Sequence, residues 1–70
     1  MNKRQLAAIE RIGKAMSAAK HVGLAFAGVG DTLCVFRLAE FEAKSEGRSP
    51  AEFINDMDYV SFRIIDSGAA

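Results

Sequence analysis

The chain has 70 residues, which is short for an enzyme, and a chain of this size buries only about 60% of its surface on folding. Half of the residues are hydrophobic, a share that excludes an intrinsically disordered protein. One cysteine and one histidine exclude an internal disulfide and a structural zinc site, which needs four such ligands. We therefore expect a single domain over residues 1–70, without metal or cofactor. Its thin core is supplemented by idealised local structure or by a partner chain, and we favour the partner chain.

The net charge is zero, but the charges are divided unevenly along the chain. Up to Gly30 there are five basic residues and one acidic residue, a net charge of +4. From Asp31 onward there are four basic and eight acidic residues, a net charge of −4. Such a distribution can orient a charged partner or a second copy of the chain.

The sequence predicts a cytoplasmic protein that does not enter a membrane. The basic start of the chain is not followed by the apolar run of a signal peptide, because Glu10, Arg11 and Lys14 interrupt it. The longest apolar candidate, residues 22–38, is interrupted by Asp31 and Arg37 and falls short of the ~18 to 20 apolar residues of a membrane span. A single thiol also fits a reducing compartment.

Residues 2–20 have the apolar spacing of an amphipathic helix. The residues that recur at intervals of three or four form one stripe: Leu6, Ile9, Ile12, Met16 and Ala19. The cations gather on the opposite side of the helical wheel: Lys3, Arg4, Arg11 and Lys14.

This basic face has three interpretations. It is a solvated helix face, it docks on an acidic protein, or it follows a nucleic-acid backbone. A pI of about 6.5, the lack of aromatic residues among the cations and the acidic second half of the chain argue against nucleic acid. Nucleic-acid binding through this face is therefore the alternative hypothesis.

Residues 22–38 predict a β-hairpin. Large and small apolar residues alternate from Val22 to Ala27, and a second β-branched and aromatic run begins at Thr32. With Gly30 and Asp31 at the centre of a type II′ turn, Ala27 pairs with Cys34 and Ala25 pairs with Phe36. Both faces of such a hairpin are apolar. One carries Val22, Leu24, Phe26, Leu33 and Val35, and the other carries Ala25, Ala27, Val29, Cys34, Phe36 and Leu38.

The second half of the chain predicts a short helix and a third strand. Residues 39–46 fit either a helical turn or an extension of the strand, and we expect the helical turn. Ser49, Pro50 and Glu52 form a helix start with a capping box, which predicts a helix over residues 50–57. Its apolar stripe is Phe53, Ile54 and Met57. Residues 59–65 alternate as a strand, and residues 67–70 are expected to fray.

These elements predict an α+β domain in the order α-β-β-α-β. A right-handed crossover lays the third strand parallel to the second in a three-stranded mixed sheet. If the third strand lies beside the first, the sheet order is 2-1-3. We expect the helices to pack mainly on one face, the one formed by Leu24, Phe26, Val35, Val60 and Phe62.

Three motifs that resemble chemical sites fail on spacing, so we expect no catalytic, cofactor-binding or metal-binding residues. Gly28, Val29 and Gly30 lack the third glycine and the following helix of a dinucleotide loop. His21 and Cys34 would lie about 20 Å apart along the hairpin. The carboxylate pairs Asp56/Asp58 and Glu40/Glu42 lack the further ligands of a calcium loop and are interpreted as solvated charge.

The remaining sheet face is the predicted binding surface. If the helices cover the opposite face, an apolar patch with aromatic and basic residues at its border is left in water, as in many interfaces. The alternatives are that one helix covers each face or that residues 39–46 fold over this one. The predicted partner-binding residues are Ala25, Ala27, Cys34, Phe36, Leu38, Tyr59 and Arg63.

The sequence thus predicts a non-enzymatic protein–protein interaction module, forming a homodimer through its sheet and binding no small-molecule substrate. A module of this kind acts as an adaptor or a stoichiometric inhibitor of a larger protein, and phage or mobile-element antagonists are one such class. The alternative is a small nucleic-acid-binding protein that uses the basic face of the first helix.

Overall fold

The computed structural model describes residues 1–65; the predicted frayed tail at residues 67–70 lies outside them. The described chain is a small α+β protein, as predicted, and the predicted order α-β-β-α-β holds with two helices in place of one before the last strand. Its helices are α1 (Lys3–His21), α2 (Leu38–Lys44) and α3 (Pro50–Phe53), and a turn of 3-10 helix follows at Ile54–Asp56. Its strands are β1 (Leu24–Val29), β2 (Thr32–Arg37) and β3 (Tyr59–Arg63).

Helix α1 begins with a capping box that the sequence analysis missed. The backbone N–H of Gln5 donates to the side chain of Asn2 at 2.8 Å, and the backbone N–H of Asn2 donates to Oε1 of Gln5 at 2.9 Å. The helix runs through His21, and Gly23 then turns the chain with a φ of +84°. Strand β1 therefore begins at Leu24, two residues later than predicted, because Val22 belongs to the turn.

The predicted hairpin register is confirmed. Ala27 pairs with Cys34, and Ala25 pairs with Phe36. Gly30 has a φ of +60° while Asp31 does not have a positive φ, which is the signature of the predicted type II′ turn. The left-handed backbone at this position favours glycine over any residue with a Cβ atom.

Residues 38–44 form helix α2, which confirms the helical interpretation and extends it to two turns. Glu46 and Gly47 both have positive φ values and end this segment. The next helix begins at Pro50, as predicted, but the side chain of Ser49 makes no capping hydrogen bond. The predicted capping box is therefore absent, and the helix changes to a 3-10 turn after Phe53.

The sheet is antiparallel throughout and its order is β1-β2-β3, so the predicted mixed sheet in the order 2-1-3 is wrong. The prediction assumed that one helix carries the chain across the sheet. Instead, α2 and α3 lead the chain out and back, and β3 starts beside the end of β2, where Tyr59 pairs with Phe36. Glu40 fixes this return, because its Oε1 accepts a hydrogen bond of 3.2 Å from the backbone N–H of Asp58.

The core lies between the sheet and the second and third helices. The aromatic rings of Phe36, Phe41 and Phe53 form a continuous row, with centroids 5.5 and 6.3 Å apart. Small side chains on β1 let the helical segment approach closely, and half-buried Ala25 and Ala27 pack against the cluster. The buried hydrophobic residues are Cys34, Phe36, Phe53, Ile54 and Met57.

Candidate interaction surface

The sheet face that was predicted to bind a partner is covered by the chain's own helices. Cys34 and Phe36 are only 2% and 4% exposed, because Phe53, Ile54 and Met57 pack over them. The predicted interface is therefore wrong for Cys34 and Phe36, which are buried, and for Ala25 and Ala27, which are half-buried. Leu38 lies at the start of α2 and not on a strand. Tyr59 and Arg63 lie on this face of β3, where they are exposed.

The opposite face of the sheet is the one left open. Strand alternation places Leu24 and Phe26 of β1 there, beside Leu33 and Val35 of β2 and the two apolar residues of β3. Those two, Val60 and Phe62, are 63% and 56% exposed. The four residues of β1 and β2 are half-buried. The open face is defined as Leu24, Phe26, Leu33, Val35, Val60 and Phe62.

Strand β3 is exposed along its whole length. Its residues that point toward the helical side are also accessible, since α2 and α3 lie over β1 and β2. The strand is fixed by its pairing with β2 and by Asp31, whose carbonyl accepts a hydrogen bond of 2.6 Å from the backbone N–H of Ile64. A five-residue edge strand with both faces in water is the least supported part of the sheet.

The apolar stripe of α1 is exposed as well. Leu6, Ile9 and Ile12 are each about half exposed, and helix α1 contains no buried residue. Only the end of the helix approaches the sheet, where Met16 and Lys20 form a shallow hollow with Leu24 and Phe26. The α1 stripe is therefore defined as Leu6, Ile9, Ile12 and Met16.

The basic residues of α1 lie on the arc opposite this stripe and are exposed, as the helical wheel predicts. Lys14 lies 3.4 Å from Glu10, and this is the single ion pair formed by α1 among the described residues. The remaining cations of the arc, Lys3, Arg4 and Arg11, have no acidic partner within residues 1–65.

The fold keeps the candidate catalytic pair, His21 and Cys34, apart. His21 is exposed at the end of α1, whereas the Cys34 thiol lies in the core on the helical side of the sheet. Residues 1–65 contain no cluster of three histidine, cysteine or acidic residues that could hold a metal ion. Gly28, Val29 and Gly30 belong to the hairpin and its turn, as interpreted from the sequence.

The paired carboxylates have structural contacts instead. Glu40 accepts a hydrogen bond from Arg37 at 2.6 Å and lies 4.0 Å from Lys44. Asp58 also pairs with Arg37, at 3.2 Å, and Asp56 lies 4.0 Å from Arg48. Glu42, Asp56 and Asp58 are exposed, as the interpretation of solvated charge predicted. That interpretation missed Glu40, which is only 14% exposed and joins α2 to the start of β3.

The open face was recognised in the sequence as apolar but was assigned to the core. Side-chain size was the signal that distinguishes the two faces: Ala25, Ala27 and Cys34 are small enough for helices that carry Phe41 and Phe53 to pack against them. The larger residues of the open face do not offer that space to the same helices.

The fold and its exposed surfaces define a class: a small α+β protein with an open three-stranded antiparallel sheet, covered on one face. Comparison with protein-family models, curated proteins and solved structures finds no match. Within residues 1–65, none of the helices has the length and apolar character needed to cross a membrane.

Proposed function

We propose that this protein is a non-enzymatic protein–protein interaction module that self-associates through the open face of its sheet. The observation that carries the proposal is the exposure of Val60 and Phe62 beside the apolar residues of β1 and β2. Contiguous apolar surface of this kind marks interfaces in soluble proteins, because leaving it in water costs roughly 25 cal/mol per Å². This face is the opposite one from that predicted from the sequence.

Self-association leaves the helical side of each copy available for another protein. We therefore propose that the assembled module acts as an adaptor or a stoichiometric inhibitor of a larger protein. A cytoplasmic location belongs to the same proposal, and the unpaired Cys34 thiol supports it because free thiols are typical of reducing compartments.

Sedimentation velocity tests the proposal with two variants of neighbouring residues. Phe62→Glu places a charge on the open face, and Ser61→Glu places one on the other side of the same exposed strand. We expect a dimeric wild type, a monomeric Phe62→Glu and a dimeric Ser61→Glu. A wild type that stays monomeric at the highest soluble concentration refutes self-association, and equal effects of the two variants refute the open face as its site.

A second candidate function is nucleic-acid binding by α1, and the unpaired state of Lys3, Arg4 and Arg11 favours it. Cations without acidic partners are free to neutralise phosphates, and such binding falls steeply as salt concentration rises. The test measures affinity for DNA and RNA at two salt concentrations. Strong binding that is lost in the Arg11→Ala, Lys14→Ala double variant but kept in Arg63→Ala supports this function; weak binding with no salt dependence rejects it.

A further inference from the structure

We infer that two copies of the chain form a two-fold dimer in which the α1 stripe of each copy packs across the open face of the other. This inference rests on the proposed self-association and specifies its geometry. Each copy then contributes one helix and one sheet face, so the same contact is made twice around the axis.

In the observed conformation the chain makes this contact with itself only at Met16. Only Val22 and Gly23 connect α1 to β1, and the first strand lies at the edge of the sheet. This short connection holds the end of α1 beside Leu24 and Phe26, while Leu6 and Ile9, toward the start of the helix, remain about half exposed. Apart from this contact at Met16, the α1 stripe and the open face are apolar surfaces of one chain that do not cover each other.

The two surfaces match in size. Leu6 and Met16 are ten residues apart on a helix, which at ~1.5 Å per residue places them roughly 15 Å apart. Three strands at ~4.8 Å spacing, each with five or six residues at ~3.4 Å, form a face of similar length. The α1 stripe would therefore cover the open face without a long overhang.

The exposed area of the chain is larger than that expected for a compact monomer of the same mass. A compact monomer of 7.6 kDa exposes about 4,300 Å², whereas this chain exposes 5526 Å². The excess, roughly 1,200 Å², exceeds the ~800 Å² that each partner buries in a standard interface. The radius of gyration agrees, since it is 14.0 Å and a compact chain of this length has about 11 Å.

The thickness of the chain indicates where the second copy fits. Its smallest extent between Cα atoms is 16 Å, which accommodates the sheet and one helical layer. Domains bury a sheet by packing helices or a second sheet against its apolar face. A helix from the partner supplies the missing layer on the open face, and the same operation buries the α1 stripe.

Charge favours a second copy over an unrelated acidic or basic protein. Helix α1 carries a net charge of +4, and residues 31–65 carry four basic and seven acidic residues, a net charge of −3. Segments of opposite net charge attract at long range, twice in the dimer, and no ion pairs at the contact are implied. The basic arc of α1 faces outward from the sheet, because it lies opposite the apolar stripe.

Disulfide trapping tests this geometry. Ile9 lies on the α1 stripe and Phe62 on the open face, so a chain with both Ile9→Cys and Phe62→Cys should give a covalent dimer on oxidation, in a Cys34→Ala background checked for folding by circular dichroism. We expect little covalent dimer from either cysteine alone, since each then lacks its partner. A dimer trapped by Phe62→Cys alone or by Ile9→Cys alone overturns the inference, as does an intramolecular disulfide in a monomer.

A second pair of variants keeps the inference testable if the cysteine chains do not fold. Ile9→Glu introduces a charge into the α1 stripe, and Ala7→Glu introduces the same charge on the opposite, exposed side of the helix. We expect Ile9→Glu to raise the dimer Kd tenfold or more, because burying an unpaired charge costs well above the ~1.4 kcal/mol of one decade. We expect Ala7→Glu to leave the Kd within about twofold. A wild-type dimer that is insensitive to Ile9→Glu refutes the role of α1 and leaves self-association intact, whereas a monomeric wild type refutes the proposed function itself.

Discussion

The guanidinium of Arg37 lies 3.2 Å from the carboxylate of Asp58, so the last residue of β2 is paired with the residue that precedes β3. Glu40 joins this pair, since its side chain accepts hydrogen bonds from both Arg37 and the backbone N–H of Asp58. These contacts join the two ends of the segment that contains α2 and α3. They also position β3, the edge strand that carries part of the open face.

Replacing Glu40 with alanine should lower the free energy of unfolding by about 1–2 kcal/mol. The Glu40 side chain is only 14% exposed, so its charge-assisted hydrogen bonds are less screened than those of a surface pair. Urea denaturation at a fixed protein concentration measures the change. Glu42→Ala is the control, because Glu42 is exposed on the same helix and forms no ion pair among the described residues. Equal losses in both variants would contradict the assigned role of Glu40.

Replacing Arg48 with lysine should lower the stability of the protein more than replacing Arg63 with lysine. Its guanidinium lies 4.5 Å above the ring of buried Phe53, and its Nε donates a hydrogen bond of 2.9 Å to the carbonyl of Ser45. A lysine ammonium cannot keep both the planar contact and this donor geometry, so we expect Arg48→Lys to lose about 1 kcal/mol of stability. Thermal unfolding followed by circular dichroism checks this loss. Arg63→Lys, at an exposed side chain, should be nearly neutral, and a neutral Arg48→Lys would show that the stacking is dispensable.

The hairpin could be predicted from the sequence because its determinants are local. Gly30 and Asp31 select the turn, and a two-residue turn fixes the register that pairs Ala27 with Cys34. The buried stripe of Phe53, Ile54 and Met57 could be read from spacing for the same reason. Local chemistry was sufficient wherever one turn or one helix face determined the outcome.

The position of β3 and the identity of the covered face depend on contacts between distant residues. The side chain of Glu40 accepts a hydrogen bond from the backbone N–H of Asp58, which lies 18 residues later in the chain. No periodicity in the sequence predicts that hydrogen bond. The choice of covered face depends on volume, since the row of Phe36, Phe41 and Phe53 requires small neighbours on β1. Because both faces are apolar, hydrophobic patterning alone could not decide between them.

The Cys34 thiol should resist modification in the folded protein. It is buried beneath Phe53 and Met57, so a thiol reagent reaches it only when the core opens. We expect slow reaction with an aromatic disulfide reagent in native buffer and rapid reaction in denaturant. Ser17→Cys gives the matched control, because Ser17 is exposed on α1 and its thiol should react at once. Rapid native labelling of Cys34 would contradict the covered face and restore the interface that the sequence analysis predicted.

Replacing Gly30 with alanine should destabilise the hairpin, whereas the same replacement at Gly28 should not. Gly30 has a φ of +60°, a conformation that costs an alanine about 1 kcal/mol, although no atom lies within 4 Å of the added Cβ. Gly28 has equal space around its Cβ position and no positive φ, so alanine there is neutral or stabilises by up to ~1 kcal/mol through the unfolded state. Urea midpoints of the two variants at equal concentration measure the difference. Both variants add the same methyl group, so the sign of the stability difference between them reports the backbone conformation at the two positions. A Gly28→Ala chain that is less stable than Gly30→Ala would contradict the type II′ turn that sets the register of the sheet.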